Sequence, residues 1–178
     1  MMVAPITFGL LIYIGTPISE NSHFTFFIAF SFSTLLTIAS VIYLKKQGIV
    51  SDVDISIREQ RIQPLVYGTI YYGMGFLLLK YLNASPLVQG LMFCYAINTA
   101  IVSFITRKWK ISIHAIGLSG PLVALWLHGF HYPILMGITL ILLCISRVIL
   151  KAHTPAQVIV GSGLAMALAY FELTILFL

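Results

Sequence analysis

Three arginines and two histidines carry the chemistry this chain can offer, and they lie far apart in sequence: Arg58 and Arg61, His114, then Arg147 and His153. Guanidinium groups present planar donor forks that match phosphate oxygens. Two imidazoles in one pocket can divide a phosphoryl transfer, one attacking phosphorus and the other giving a proton to the departing oxygen. Ser112 precedes His114 by two positions and adds a hydroxyl. His153 and Gln157 are four apart, so they share a face of a helix that starts near Thr154. There the Gln157 carbonyl can accept the imidazole N–H and fix its tautomer, with less support for an imidazolium than a carboxylate gives. Arg147 and His153 would point about 240° apart on one continuous helix. Thr154 as a cap and Pro155 at the first helical position favour a break that can bring them together.

Something must carry these groups to one place, and the composition says what. Sixty per cent of the residues are hydrophobic and 8% are charged, with a mean hydropathy of +1.01. A soluble domain carries about 25% charged residues, so lipid has to solvate much of this surface. Stretches such as Phe24 to Leu44 and Pro155 to Leu178 are apolar on all sides, without the alternation of a membrane barrel. Twenty-one residues of helix rise about 31 Å, close to the hydrocarbon thickness of a bilayer.

The expectation is therefore a single all-α domain over residues 1–178, a polytopic bundle of six or seven transmembrane helices. Val3 to Ile14 is short, and either spans obliquely or only enters the membrane. A break at Thr16 to His23 leads to Phe24 to Leu44, and a polar loop, Ser51 to Pro64, holds three of the five acidic residues. Further segments run Leu65 to Leu82, Leu87 to Ile105, Ser112 to Leu127, Tyr132 to Leu150 and from Pro155 onward. Two helices separate the Arg58–Arg61 loop from His114, and two more separate His114 from Arg147 and His153. An even number of crossings returns the chain to the side it left, so all three clusters face one side. Lys45, Lys46, Arg107, Lys108, Lys110 and Lys151 fall on that side as well, and only Lys80 approaches the other. The positive-inside rule makes this face cytoplasmic.

The remaining candidates read as structure. Cys94 and Cys144 sit inside apolar segments and behave as small hydrophobes. His23, His128 and His131 are interfacial turn residues on the other side, and no third ligand stands near them to hold a metal. Trp109, between Lys108 and Lys110, is an interface anchor. Gly117 with Gly120, and Gly161 with Gly163, allow close helix approach. The N-terminus lacks the basic start and cleavage site of a signal peptide, so Val3 to Gly15 is expected in the mature protein. Nothing resembles a nucleic-acid module or a phosphate-cradling glycine loop. Arg147 and Lys151 also read as head-group anchors, and Arg58 and Arg61 as surface charge.

The stretch SRVILKAHTPAQ, Ser146 to Gln157, resembles the third signature of the type 2 phosphatidic acid phosphatase (PAP2-type) superfamily: Ser-Arg, five residues, His, three residues, Asp. Ser146, Arg147 and His153 match, and Gln157 takes the acid's place, as in the dolichyl-diphosphatase branch. The second signature, Pro-Ser-Gly-His, is similar to ISIH, with Ser112 and His114 aligned and Ile111 and Ile113 replacing proline and glycine. For the first signature, alignment on Pro64 puts Gln63 and Ser56 where Arg and Lys are expected, with Arg58 and Arg61 nearby. The resemblance covers about residues 45–163, and the third motif is its specific part.

The resemblance implies a helical bundle with the three signatures at one membrane face, and a metal-independent mechanism without cofactors. His153 would form a phosphohistidine, His114 would protonate the leaving group, and Arg147 with Arg61, Arg58 and Ser112 would hold the phosphoryl oxygens. The implied partners are membrane lipids, and the implied substrates lipid phosphates or isoprenoid diphosphates. The altered first and second signatures bear on turnover, so a catalytically silent lipid-phosphate-binding or scaffold protein stands beside the phosphatase. A small transporter or channel ranks last, because the charged residues gather at one edge.

Overall fold

The computed structural model describes residues 3–14 and 21–178, and the described residues fold into seven helices with no strand. They are α1 (Val3–Tyr13), α2 (Ser22–Lys46), α3 (Ile62–Tyr81), α4 (Pro86–Thr106), α5 (Ile113–Leu127), α6 (Pro133–Ile149) and α7 (Pro155–Leu176). Four helical stretches, Ser22–Lys46, Glu59–Tyr81, Pro86–Thr106 and Pro155–Leu176, are long and apolar enough to cross a membrane. At 11 residues, α1 rises only about 16 Å, roughly half the hydrocarbon thickness. Of the break expected at Thr16 to His23, residues 16–20 lie outside the described residues, while Ser22 and His23 already belong to α2.

Local sequence explains the helix limits. Pro86, Pro133 and Pro155 each open a helix, where the missing N–H costs nothing. The turn at residues 82–85 is tight enough to lay α3 and α4 side by side, the most extensive pairing in the bundle. A single π-helical turn, Ser31–Leu35, interrupts α2. Several buried hydroxyls bond to their own helix backbone, as in Thr37 to Ser33 O and Thr7 to Val3 O, whereas Thr106 Oγ1 and Ser119 Oγ are buried without a partner.

The main apolar core includes Phe8, Leu11, Leu79, Leu91, Met92 and Leu173, in the half of the bundle away from the polar clusters. A smaller cluster of Leu65, Val102 and Ile111 lies toward them. Helix α6 has no buried residue, and Ile134, Leu135, Ile138, Ile141, Leu142 and Ile145 are all exposed along it. Such a surface is normal against lipid and costly against water.

One boundary differs from the sequence reading. The polar loop was expected to run to Pro64, yet a 3-10 turn at Glu59–Arg61 leads directly into α3 at Ile62. Hydropathy marks where lipid begins and says little about where a helix begins. A polar first turn extends helix beyond the apolar span, and Pro64 fits within that turn.

Candidate functional site

His153 lies in the turn between α6 and α7, and the turn is held by backbone geometry. Helix α6 ends with Lys151 at φ 51, while the N–H groups of Ala152 and His153 both donate to Arg147 O, at 3.1 and 3.2 Å. The chain thus breaks where a continuous helix would have kept Arg147 and His153 on different faces. Thr154 then caps α7: its hydroxyl accepts from Gln157 N–H, and its own N–H donates to Gln157 Oε1 at 3.2 Å, a reciprocal capping box.

The capping box decides the histidine tautomer. His153 Nδ1 lies 3.1 Å from Gln157 Oε1, the same oxygen that accepts from Thr154. Because a backbone N–H can only donate, the amide atom facing it is the oxygen, so Nδ1 must carry the ring proton. Nε2 is left with the lone pair that a nucleophile needs. Burial pushes the His153 pKa down to about 4; the Gln157 bond works in the other direction, and the charges of Arg61, Lys110 and His114 lower it further. At neutral pH this imidazole is uncharged.

His114 stands in the first turn of α5, whose N-terminus is capped by Ser112 Oγ accepting from Ala115 N–H. Ser112 is completely buried, and its N–H reaches Gln157 O at 3.4 Å, which ties the start of α5 to the start of α7. Gly161 permits this approach, since a Cβ there would stand 3.3 Å from Ser112 O.

Arg147 and His114 meet at Asp54, a residue the sequence reading did not single out. Arg147 Nη1 is 3.1 Å from Asp54 Oδ2, and His114 Nε2 is 3.4 Å from Asp54 Oδ1. One carboxylate therefore bridges the candidate phosphate-binding arginine and the candidate acid. Arg147 Nε is buried and has no hydrogen-bond partner. The loop that presents Asp54 is firmly built. Asp52 accepts the Ser56 N–H, and Ile55 holds φ 48, a strained value for a β-branched residue. Burial of the Ile55 side chain beside Val41, Leu44 and Val50 secures it, as does Arg61 Nε donating to Ile55 O at 2.7 Å.

Arg61 is buried and also donates to Ile111 O at 3.1 Å. Arg58 donates to Lys108 O at 2.8 Å and pairs with Glu59 at 2.7 Å. These arginines fasten the 51–61 loop to the segment before α5, and Lys110 joins them there in the field at His153. The structure thus brings Arg147 and His114 together around Asp54, with His153 and Gln157 beside them. Arg61 lies beneath, Arg58 is turned to Glu59 and a carbonyl, and the Ser112 hydroxyl is engaged in the cap. Nothing in the spacing of Asp54 to His114 or Arg147 signals their contact, and its one sign in the sequence is that its loop is the acidic one.

No protein-family model, curated protein or solved structure matches this chain.

Proposed function

We propose that this chain is an integral membrane protein that seats the phosphate of a lipid or isoprenoid (di)phosphate at the polar end of its bundle and hydrolyses it through His153. One observation carries the reading: the carboxylate of Asp54 lies between Arg147 and His114. A position that holds a tethered anion with one guanidinium and one imidazole has the ligands a phosphoryl group takes. The neutral His153 and its Gln157 anchor supply a nucleophile beside it.

The chemistry follows from these groups. His153 Nε2 attacks phosphorus, the bond from phosphorus to the leaving oxygen breaks, and His114 gives that oxygen a proton. Burial and the Arg147 charge hold the His114 pKa down to about 4 while Asp54 works the other way, so His114 takes up that proton as the phosphate dianion binds. Water then gives a proton to the now neutral His114 and attacks the phosphohistidine, the P–N bond breaks with its electron pair returning to His153 Nε2, and inorganic phosphate leaves. Arg147 neutralises charge on the equatorial oxygens as the transition state forms. The type 2 phosphatidic acid phosphatase resemblance of Ser146 to Gln157 points to the same division of roles. On this reading all seven helices sit in or across the bilayer, with the site at the cytoplasmic face, where Lys45, Lys46, Arg107, Lys108 and Lys151 also gather.

The test is phosphate release by the purified chain in lipid nanodiscs from phosphatidic acid, phosphatidylglycerol phosphate and isoprenoid diphosphates. Release is expected to fall at least about a thousandfold in His153→Ala. Release no faster than that of His153→Ala on every substrate overturns the hydrolase. A second reading, a silent lipid-phosphate binder, is favoured by Asp54 filling the seat and by Arg58 and Ser112 being engaged elsewhere. Saturable binding of a lipid phosphate with no turnover separates it from the first.

A further inference from the structure

Inside the bundle, Glu172 is a carboxyl without a counter-charge. It is 5% exposed on α7, and Asn98 Nδ2 on α4 donates to its Oε2 at 3.2 Å. The Cys94 thiol also bonds to it. Cys94 and Asn98 lie near the middle of α4, each about 12 Å from the nearer helix end. Among the described residues no arginine, lysine or histidine pairs with Glu172, and Asp52, Asp54 and Glu59 all stand in the polar loop. A carboxylate held in such surroundings by one amide and one thiol is costly until a proton or a cation joins it.

A cavity of about 120 Å³ adjoins this carboxyl and is lined by both Cys94 and Asn98. Because an ionised carboxylate only accepts, Asn98 must turn its NH2 to Glu172 and its Oδ1 away. That Oδ1 is buried without a hydrogen-bond partner, as is the Oη of Tyr95, one turn earlier, which lines the same cavity. We propose that this cavity is a binding site for a monovalent alkali cation, held by Asn98 Oδ1, the Tyr95 hydroxyl and water, with Glu172 as its counter-charge. A single positive charge balances a single carboxylate, and hard cations take oxygen ligands. A proton on Glu172 would leave both orphaned oxygens unmet, and water alone would leave the charge. The volume accommodates an ion with several waters, since one water takes roughly 10–15 Å³. Arg61 borders the cavity at its polar end, with its guanidinium turned to Ile55 O and Ile111 O. It stands about 10 Å along α3 from Gly68, where a Cβ would meet Thr99 beside Asn98. The carboxylate, one amide away from Oδ1, is the nearer charge and dominates there. Cation binding here is independent of any chemistry at the polar end.

The test uses the full chain in nanodiscs, in NaCl, LiCl, KCl or N-methylglucamine chloride at equal ionic strength. Radiolabelled Na+ is expected to bind saturably at about one ion per chain, and alkali salt to raise the melting temperature over N-methylglucamine. Glu172→Gln keeps a carbonyl for the Asn98 bond and removes the charge. It should weaken Na+ binding about a hundredfold or more, the scale of breaking a buried charge pair. Tyr95→Phe removes only the orphaned hydroxyl and should weaken binding about three- to tenfold, which covers the case in which Glu172→Gln does not fold. Equal melting in every salt, with no saturable Na+ binding, overturns the site. Na+ binding that both variants leave unchanged does the same. So does an infrared carbonyl band of protonated Glu172, absent in Glu172→Gln, that Na+ at any concentration leaves in place.

Discussion

At the residue scale, Gln157 Oε1 accepts from Thr154 N–H and from His153 Nδ1, so one side-chain oxygen both caps a helix and orients an imidazole. With a folded pKa of about 4, His153 holds its nucleophilic form across the neutral range, and the acid limb of kcat/KM is expected near pH 4. Gln157→Glu would place a carboxylate against Nδ1–H, stabilise the imidazolium and move that limb to higher pH in a pH–rate profile. Stability follows the same proton. The unfolded histidine titrates near 6.5, so between about pH 6.5 and 4 the unfolded chain binds more protons. His153 therefore contributes stability that is full above that window and is lost as pH falls through it. Asp54→Asn tests the bridging carboxylate. It should lower KM for a phosphate substrate about two- to fivefold, the worth of an exposed ion pair. It should also lower kcat, because His114 loses the charge that favours its acid form; steady-state kinetics resolve the split.

At the element scale, close helix approach does what long-range polar bonding does elsewhere. A Cβ on Gly75 in α3 would stand 2.8 Å from Phe32 Cβ, inside the π-helical turn of α2. That neighbour sits on the backbone and cannot swing away, so Gly75→Ala should destabilise the protein by about 1–3 kcal/mol despite its better helix propensity. A thermal or denaturant melt in detergent measures it. Gly117 gives the internal contrast, since the same change there meets open space. The strained Ile55 shows the other side of this logic: the 51–61 loop keeps a costly backbone because a buried side chain and the Arg61 bond hold it. A loop so held can place Asp54 to within hydrogen-bond tolerance of two other elements.

At the scale of the whole molecule, the bundle separates its functions by depth. The packed aromatic and aliphatic core lies away from the polar end, the cavity lies between, and the ion pairs lie at the edge. A second polar group sits within the bundle, where Asn98 Nδ2 donates to Glu172 Oε2 at 3.2 Å and links α4 to α7. The orientation proposed here predicts opposite accessibility for the two ends. A cysteine placed at Lys108 should react with a membrane-impermeant maleimide only after the cytoplasmic side is opened, and one placed at Asn83 only from the other side. Equal labelling of both from one side removes the topology. Cys94 is buried and Cys144 partly so, and a chain with both replaced provides the background.

The amino-acid order alone determined the helical class, the approximate spans and the gathering of three distant basic clusters. It could do so because hydropathy and the number of times the chain turns back depend on composition and order, without side-chain geometry. The His153–Gln157 pair was equally legible, being a matter of four-residue spacing with Thr154 and Pro155 to start the helix. Tertiary structure alone decided that Asp54 joins Arg147 to His114, that Arg61 is buried against two carbonyls, and that Ser112 caps a helix. These depend on loop conformation and on how closely α5 and α7 approach at Gly161, which no periodicity encodes. The cavity beneath Arg61 belongs to the same class: a void is what packing leaves unfilled, so it exists only once every neighbouring helix has been placed.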